Sequence, residues 1–198
     1  MWTLPVTVTV LDREYRIRDN GDYRIIMPII TIHHQIQLSD VDKTISILSL
    51  FYNELDEPED VLQEFETVDY MQEAANQVTK FISCGQDVEQ GYHTKYPLID
   101  WVSDEPLIVA GINEQLGKDV REVEYMHWWT FYSYFLNIRE GPLATVVSIR
   151  DKIVRGKKLD KGEQEFRTQN PQHFNWRERL KTKEEIDFES KIRKEWNK

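Results

Sequence analysis

Residues 125–138, YMHWWTFYSYFLNI, hold ten apolar or aromatic side chains in fourteen positions, with Trp128 and Trp129 adjacent. On a helix at about 100° per residue, the four polar residues His127, Thr130, Ser133 and Asn137 share one stripe about 120° wide. More than half of such a helix avoids water, so it cannot stand alone. Either it is the central helix around which the others pack, or another molecule completes one of its sides, since Trp and Tyr are enriched at interface hot spots. The core reading predicts that replacing Trp128 or Trp129 with Ala first costs stability.

The rest of the chain supplies partners for that helix. Val6, Val8 and Val10 alternate with Thr7 and Thr9, the period of a half-buried strand, and Leu11–Glu14 can turn the chain into a second strand at 15–18. Asp19-Asn20-Gly21-Asp22 then breaks the hairpin by supplying positive φ. Beyond the break the periods are helical. Ser39 with Asp42 opens a helix carrying Ile45, Leu48, Phe51 and Leu55, Pro58 opens a short one to Phe65, and Thr67 opens another to Ile82. Residues 83–98 carry no period and are expected to be the longest loop. Ser103 or Asp104 caps a helix ending at Gly117, and Asp119 offers a fresh cap ahead of the aromatic helix, which should stop at Gly141-Pro142. A helix from Leu143 to Arg155, a short one from Asp160 to Asn170 and a charged one capped by Thr182–Glu185 complete the chain. The expectation is a mainly α fold, a helical domain of about six to eight helices with a short N-terminal β-hairpin. Residues 1–156 form the body and 157–198 a charged helical extension.

A chain of 198 residues can bury a core without covalent staples, and a single cysteine, Cys84, excludes an internal disulfide and suits a reducing compartment. Its thiol is expected to be half-buried and inert. The longest apolar run, residues 25–32, falls far below the roughly 18 to 20 residues that span a bilayer, so no membrane partner is expected. No secretory leader is expected either. The net charge of −10 is uneven: residues 1–149 carry 10 Lys and Arg against 25 Asp and Glu, and residues 150–198 carry 15 against 10. Those cations alternate with acids, which predicts a solvated helix rather than the clustered charge that binds nucleic acid.

Catalytic patterns are missing. Gly156-Lys157-Lys158 lacks the earlier glycine of a phosphate loop, and no Gly-x-Gly-x-x-Gly or Gly-x-Ser-x-Gly occurs. His33, His34, His93, His127 and His173 have no zinc spacing, and Asp56-Glu57-Pro58-Glu59-Asp60 lacks the pattern of a calcium loop, so neither metal nor cofactor is expected. Asp100 and Asp104 stand one helical turn apart and could in principle exchange protons, with His127 as a third group; capping and loop ordering is the reading preferred.

Three segments resemble the bacteriophage gene-fifteen protein family of phages and prophages of Gram-positive bacteria. These are Val10–Ile17 with Asp22-Tyr23-Arg24, Asp100-Trp101-x-x-Asp104 with Ile108 and Ala110, and above all Glu124-Tyr125-Met126-His127-Trp128-Trp129-x-Phe131. The likeness covers roughly residues 6–155. It implies a non-enzymatic protein acting in the host cell cytoplasm in the assembly of a long tail: a tail assembly chaperone that binds the tape-measure protein, with the tail-tube protein as a second partner and self-association possible. The alternative is a structural virion component, a tube or connector subunit. Tyr125, His127, Trp128, Trp129, Phe131, Asp100 and Asp104 are the signature or partner-binding candidates.

Overall fold

The computed structural model describes residues 3–32, 38–86, 97–176, 186–188 and 190–192. The expectations for His33, His34, His93 and the Thr182–Glu185 cap lie outside these residues, as does most of the expected loop. The fold is mainly helical, with a two-stranded hairpin, eight α-helices and three 3-10 turns among the described residues of 7–173, and further helical residues at 186–188 and 190–192. Strands β1 (Thr7–Val10) and β2 (Arg13–Arg16) pair antiparallel with Thr7 opposite Arg16 and Val10 opposite Arg13, so the turn is Leu11-Asp12 alone, two residues shorter than the sequence suggests. Leu11 takes a positive φ of 55° there. The inward face is Val10 and Tyr15, whereas Val6 lies outside the paired strand and is exposed. A 3-10 turn at Arg18–Gly21, with Asp19, Asn20 and Gly21 all at positive φ, is the predicted break.

Helix α1 (Tyr23–Ile32) is one that the sequence periods do not announce, because Pro28 sits inside it. Proline has no N–H to offer the carbonyl of Arg24, a local cost that argues against a helix. Burial decides otherwise: Tyr23, Ile26, Ile29 and Ile32 recur every three residues and all face the core. Helices α2 (Asp40–Phe51), α3 (Pro58–Glu64) and α4 (Val68–Ile82) follow the predicted caps. Ser39 accepts the Asp42 N–H at 3.1 Å, Glu57 and Asp60 cap α3 reciprocally, and Thr67 accepts the Tyr70 N–H at 3.2 Å. Their inner faces meet the hairpin in an aromatic cluster in which Tyr52 contacts Tyr15, Phe51 and Phe65. The Tyr52 hydroxyl, buried within it, donates to the Ala74 carbonyl at 2.9 Å.

Helix α5 (Glu105–Leu116) ends on Gly117 at φ +74° as expected. Its start corrects the sequence reading. Asp104 occupies the cap position, but its carboxylate makes no cap bond and is turned to Arg150, far along the chain. Helix α6 (Trp128–Leu136) is the second correction, since it is nine residues rather than a continuous segment through 125–138. Asp119 does cap, but caps only a 3-10 turn at Val120–Glu122. The backbone of Met126 is bonded across the chain, its N–H to the Asp22 carboxylate at 3.0 Å and its C=O to the Tyr23 N–H at 3.0 Å. Groups spent on that crossing cannot join a helix. Helices α7 (Pro142–Val154) and α8 (Lys161–Gln169) match expectation, α8 through a reciprocal Asp160–Glu163 cap. Val146, Ile149 and Phe174 form a smaller apolar cluster beside the main one, to which Leu107, Ile153 and Phe166 are packed.

Candidate functional site

The N-terminal and aromatic signatures, about a hundred residues apart in sequence, form one junction. Asp22 is its hinge. Its carboxylate accepts the Arg24 N–H at 2.9 Å, capping α1, holds the Arg24 guanidinium at 3.0 and 3.1 Å, and accepts the Met126 N–H. Arg24 also donates to the Val123 carbonyl, and the Tyr125 hydroxyl donates to the Asn20 carbonyl at 2.9 Å. Tyr23 stacks on Phe131 with centroids 4.4 Å apart and planes 7° apart. Gly21, at φ +77°, belongs to the same fit: a Cβ there would come within 2.7 Å of the Phe81 ring.

His-Trp-Trp proves to be a device for joining helices. His127, buried with 1 % exposure, is the N-cap of α6: its Nδ1 accepts the Trp129 N–H at 3.1 Å. That acceptance assigns the proton to Nε2, which donates to the Pro5 carbonyl at 2.9 Å. Burial lowers the pKa of the ring from its ordinary 6.5, in keeping with a neutral imidazole. The two indoles reach the far end of α4. Trp128 Nε1 donates to the Ile82 carbonyl and Trp129 Nε1 to the Phe81 carbonyl, each at 2.9 Å. The last four carbonyls of a helix lack intrahelical donors: Trp128 supplies one to Ile82, and Trp129 adds a second to the Phe81 carbonyl, which also accepts the Cys84 N–H at 3.0 Å. His127 is therefore no part of a water-facing stripe, which corrects the sequence reading. Thr130 is half-buried, and only Ser133 and Asn137 of that stripe are exposed.

Asp100 and Asp104 belong to a second network. Asp104 is fully buried and meets Arg150 of α7, also fully buried, through two bonds of 2.5 and 2.9 Å, while accepting the Asp100 N–H at 2.9 Å. Asp100 accepts the Ser103 N–H at 3.1 Å. Arg150 further donates to the carbonyls of Leu98 and His173, at 2.8 and 2.9 Å, and lies over the Trp176 ring, whose Nε1 donates to the Pro97 carbonyl at 2.8 Å. The carboxylates thus order a loop, as preferred, but through a cation that sequence reasoning missed. A signal existed: Arg150 interrupts the stripe Leu143, Val146, Ile149 and Ile153 at a core-facing position.

Of the seven candidates, Tyr125, His127, Trp128, Trp129 and Phe131 are together at the junction, and Asp100 and Asp104 are together at the clasp. Trp128, Phe131, His127, Asp100 and Asp104 are buried, Trp129 is half-buried and Tyr125 is exposed. The outer face of α6 instead presents an open groove of about 990 Å³, lined by Leu4, Trp129, Tyr132, Tyr134, Leu136 and Asn137. Cys84 touches the same groove; burial pushes its thiol up to about 11, leaving little reactive thiolate near neutrality. No group of three or more metal-ligating side chains forms among the described residues, and no helix among them is long and apolar enough to cross a membrane.

A family model described as Bacteriophage Gp15 protein matches residues 3–173, which takes in the junction and all of the Arg150 network except Trp176. No curated protein and no solved structure matches the chain.

Proposed function

Because the chain belongs to the Bacteriophage Gp15 protein family, a family of phage structural and assembly proteins, we propose that it is a non-enzymatic tail assembly factor, a chaperone that holds the tape-measure protein in the host cytoplasm until the tail tube forms around it. The family match carries this reading, and the geometry supports it. The buried carboxylates and histidine are committed to structural bonds, while Leu4, Tyr132, Tyr134 and Leu136 leave an apolar groove of the shape that receives an amphipathic helix. A tape-measure helix must be kept from aggregating before assembly, which calls for such a surface and for acidity that keeps the complex soluble.

Co-expression with the tape-measure protein tests the proposal. A soluble, co-purifying complex is expected, and Leu136→Glu should weaken it without unfolding the chain, since Leu136 is 61 % exposed. No association of the wild-type protein would sink the reading. The second reading, a tube or connector subunit, is favoured by the N-terminal hairpin, which among the described residues stands as a sheet of two strands and so has edges able to pair with a neighbour. Mass spectrometry of purified virions separates the two. A chaperone is missing from the particles, whereas a subunit is present in stoichiometric amount.

A further inference from the structure

A second concave surface lies away from the α6 groove. Between α1 and α5 a cleft of about 360 Å³ is walled by Met27 and Pro28 on one side and Trp101 and Val102 on the other, with Ile108 and Phe131 among its buried lining. Its rim carries both signs of charge, Arg24 and Arg121 with Glu105. Val102 remains 64 % exposed at its mouth. The cleft is large enough for one or two bulky side chains, so what fills it should be an apolar pair presented between charged neighbours of both signs.

The chain itself carries such a pair. Residues 186–188 and 190–192 are helical, and Phe188 and Ile192, one turn apart at helical spacing, are 64 % and 39 % exposed. Around them the sequence IDFESKIRK carries three bases against two acids, and at the cleft rim Arg24 and Arg121 are already paired with Asp22 and Asp119, which leaves Glu105 as the rim charge facing a basic partner. The charge of the two parts is complementary on the larger scale too: residues 1–149 have an excess of acids and residues 150–198 an excess of bases. We propose that the protein self-associates by docking Phe188 and Ile192 of one copy into the α1–α5 cleft of a second copy. Exchanged reciprocally, the two contacts form a two-fold dimer in which each docking raises the effective concentration of the other. This goes beyond the chaperone reading and does not depend on it, because the cleft is separate from the α6 groove.

The experiment is light-scattering mass measurement on the full chain over a wide range of concentration, with three proteins: wild type, Phe188→Glu and Val102→Glu. Both substituted side chains are exposed, and circular dichroism checks that both variants fold. Wild type should move from the 23.7 kDa monomer to twice that mass as concentration rises. Each variant should raise the dissociation constant by at least about tenfold, the scale of an interface hot spot. A tagged Val102→Glu chain, whose segment is intact, should still capture a Phe188→Glu chain, whose cleft is intact. A wild type that stays monomeric at every concentration, including one in which the segment binds its own cleft, overturns the proposal, and so does a dimer that neither variant weakens.

Discussion

The junction at His127 and the clasp at Arg150 do the same job by different chemistry. Both draw together segments far apart in sequence, and both bury polar groups that would be costly if left alone. Apart from the Asp22–Arg24 pair at its N-terminal edge, the junction is neutral: its donors from His127, Trp128 and Trp129 reach backbone carbonyls at Pro5, Ile82 and Phe81. At the clasp a full positive charge is buried against a full negative one. The lesson is one of risk. Losing one neutral donor leaves a carbonyl short of a partner, whereas losing one ion leaves the other stranded in a medium that cannot solvate it.

The largest effect should come from stranding that ion. Arg150→Met is expected to destabilise the fold by about 3 to 5 kcal/mol, and the double variant Asp104→Leu/Arg150→Met by clearly less than the single one, because no lone charge remains. Urea unfolding midpoints measure both, and a double variant as unstable as Arg150→Met would break the contrast between the two networks. Next, Trp128→Ala should cost about 3 to 4 kcal/mol through the lost ring and the cavity it leaves. If Trp128→Ala kept the stability of wild type yet lost partner binding, the motif would be an interface rather than a helix joint.

Smaller effects sharpen the comparison. Trp129→Phe keeps one ring but deletes the N–H to the Phe81 carbonyl and part of the indole surface packed on Phe81, so a loss of about 1 to 2 kcal/mol is expected in the same unfolding assay. His127 contributes a pH dependence. Its folded-state pKa lies below 6.5, so the unfolded chain takes up the proton first as acid is added. The contribution is fully present above about 6.5 and is lost as the pH falls below it, by at most about 1.4 kcal/mol per pH unit for one proton. Unfolding at pH 7.5 and 5.5 should show a difference that shrinks in His127→Gln. An unchanged difference would mean that other groups carry it.

Several elements were legible because their signals are local. Ser39, Thr67, Pro58, Asp160 and Gly117 announce helix ends through groups that act within one turn. Helix α1 was not legible, since Pro28 argues against it locally and only burial of Ile26 and Ile29 outweighs that cost. The start of α6 was misplaced for the converse reason. The aromatic run continues back to Tyr125, yet the backbone N–H and C=O of Met126 are claimed by Asp22 and Tyr23. His-Trp-Trp was recognisable as a label, but its use as a cap on α4 could not be seen without knowing that Phe81 and Ile82 end a helix beside it.

By itself, then, the sequence determined a helical domain with an N-terminal hairpin, its excess of acid before residue 150, and the family to which the motifs point. Those follow from periods of two and 3.6 residues, from caps and from composition, all properties of short stretches. Tertiary structure decided which polar residues are spent. It sent Asp104 to Arg150 rather than to a helix cap and His127 into the core rather than onto a wet stripe, and it left Leu136, Val102, Phe188 and Ile192 uncovered. A buried polar group takes whichever partner the fold brings within about 3 Å, and that choice is made between segments up to 122 residues apart, as at His127 and Pro5.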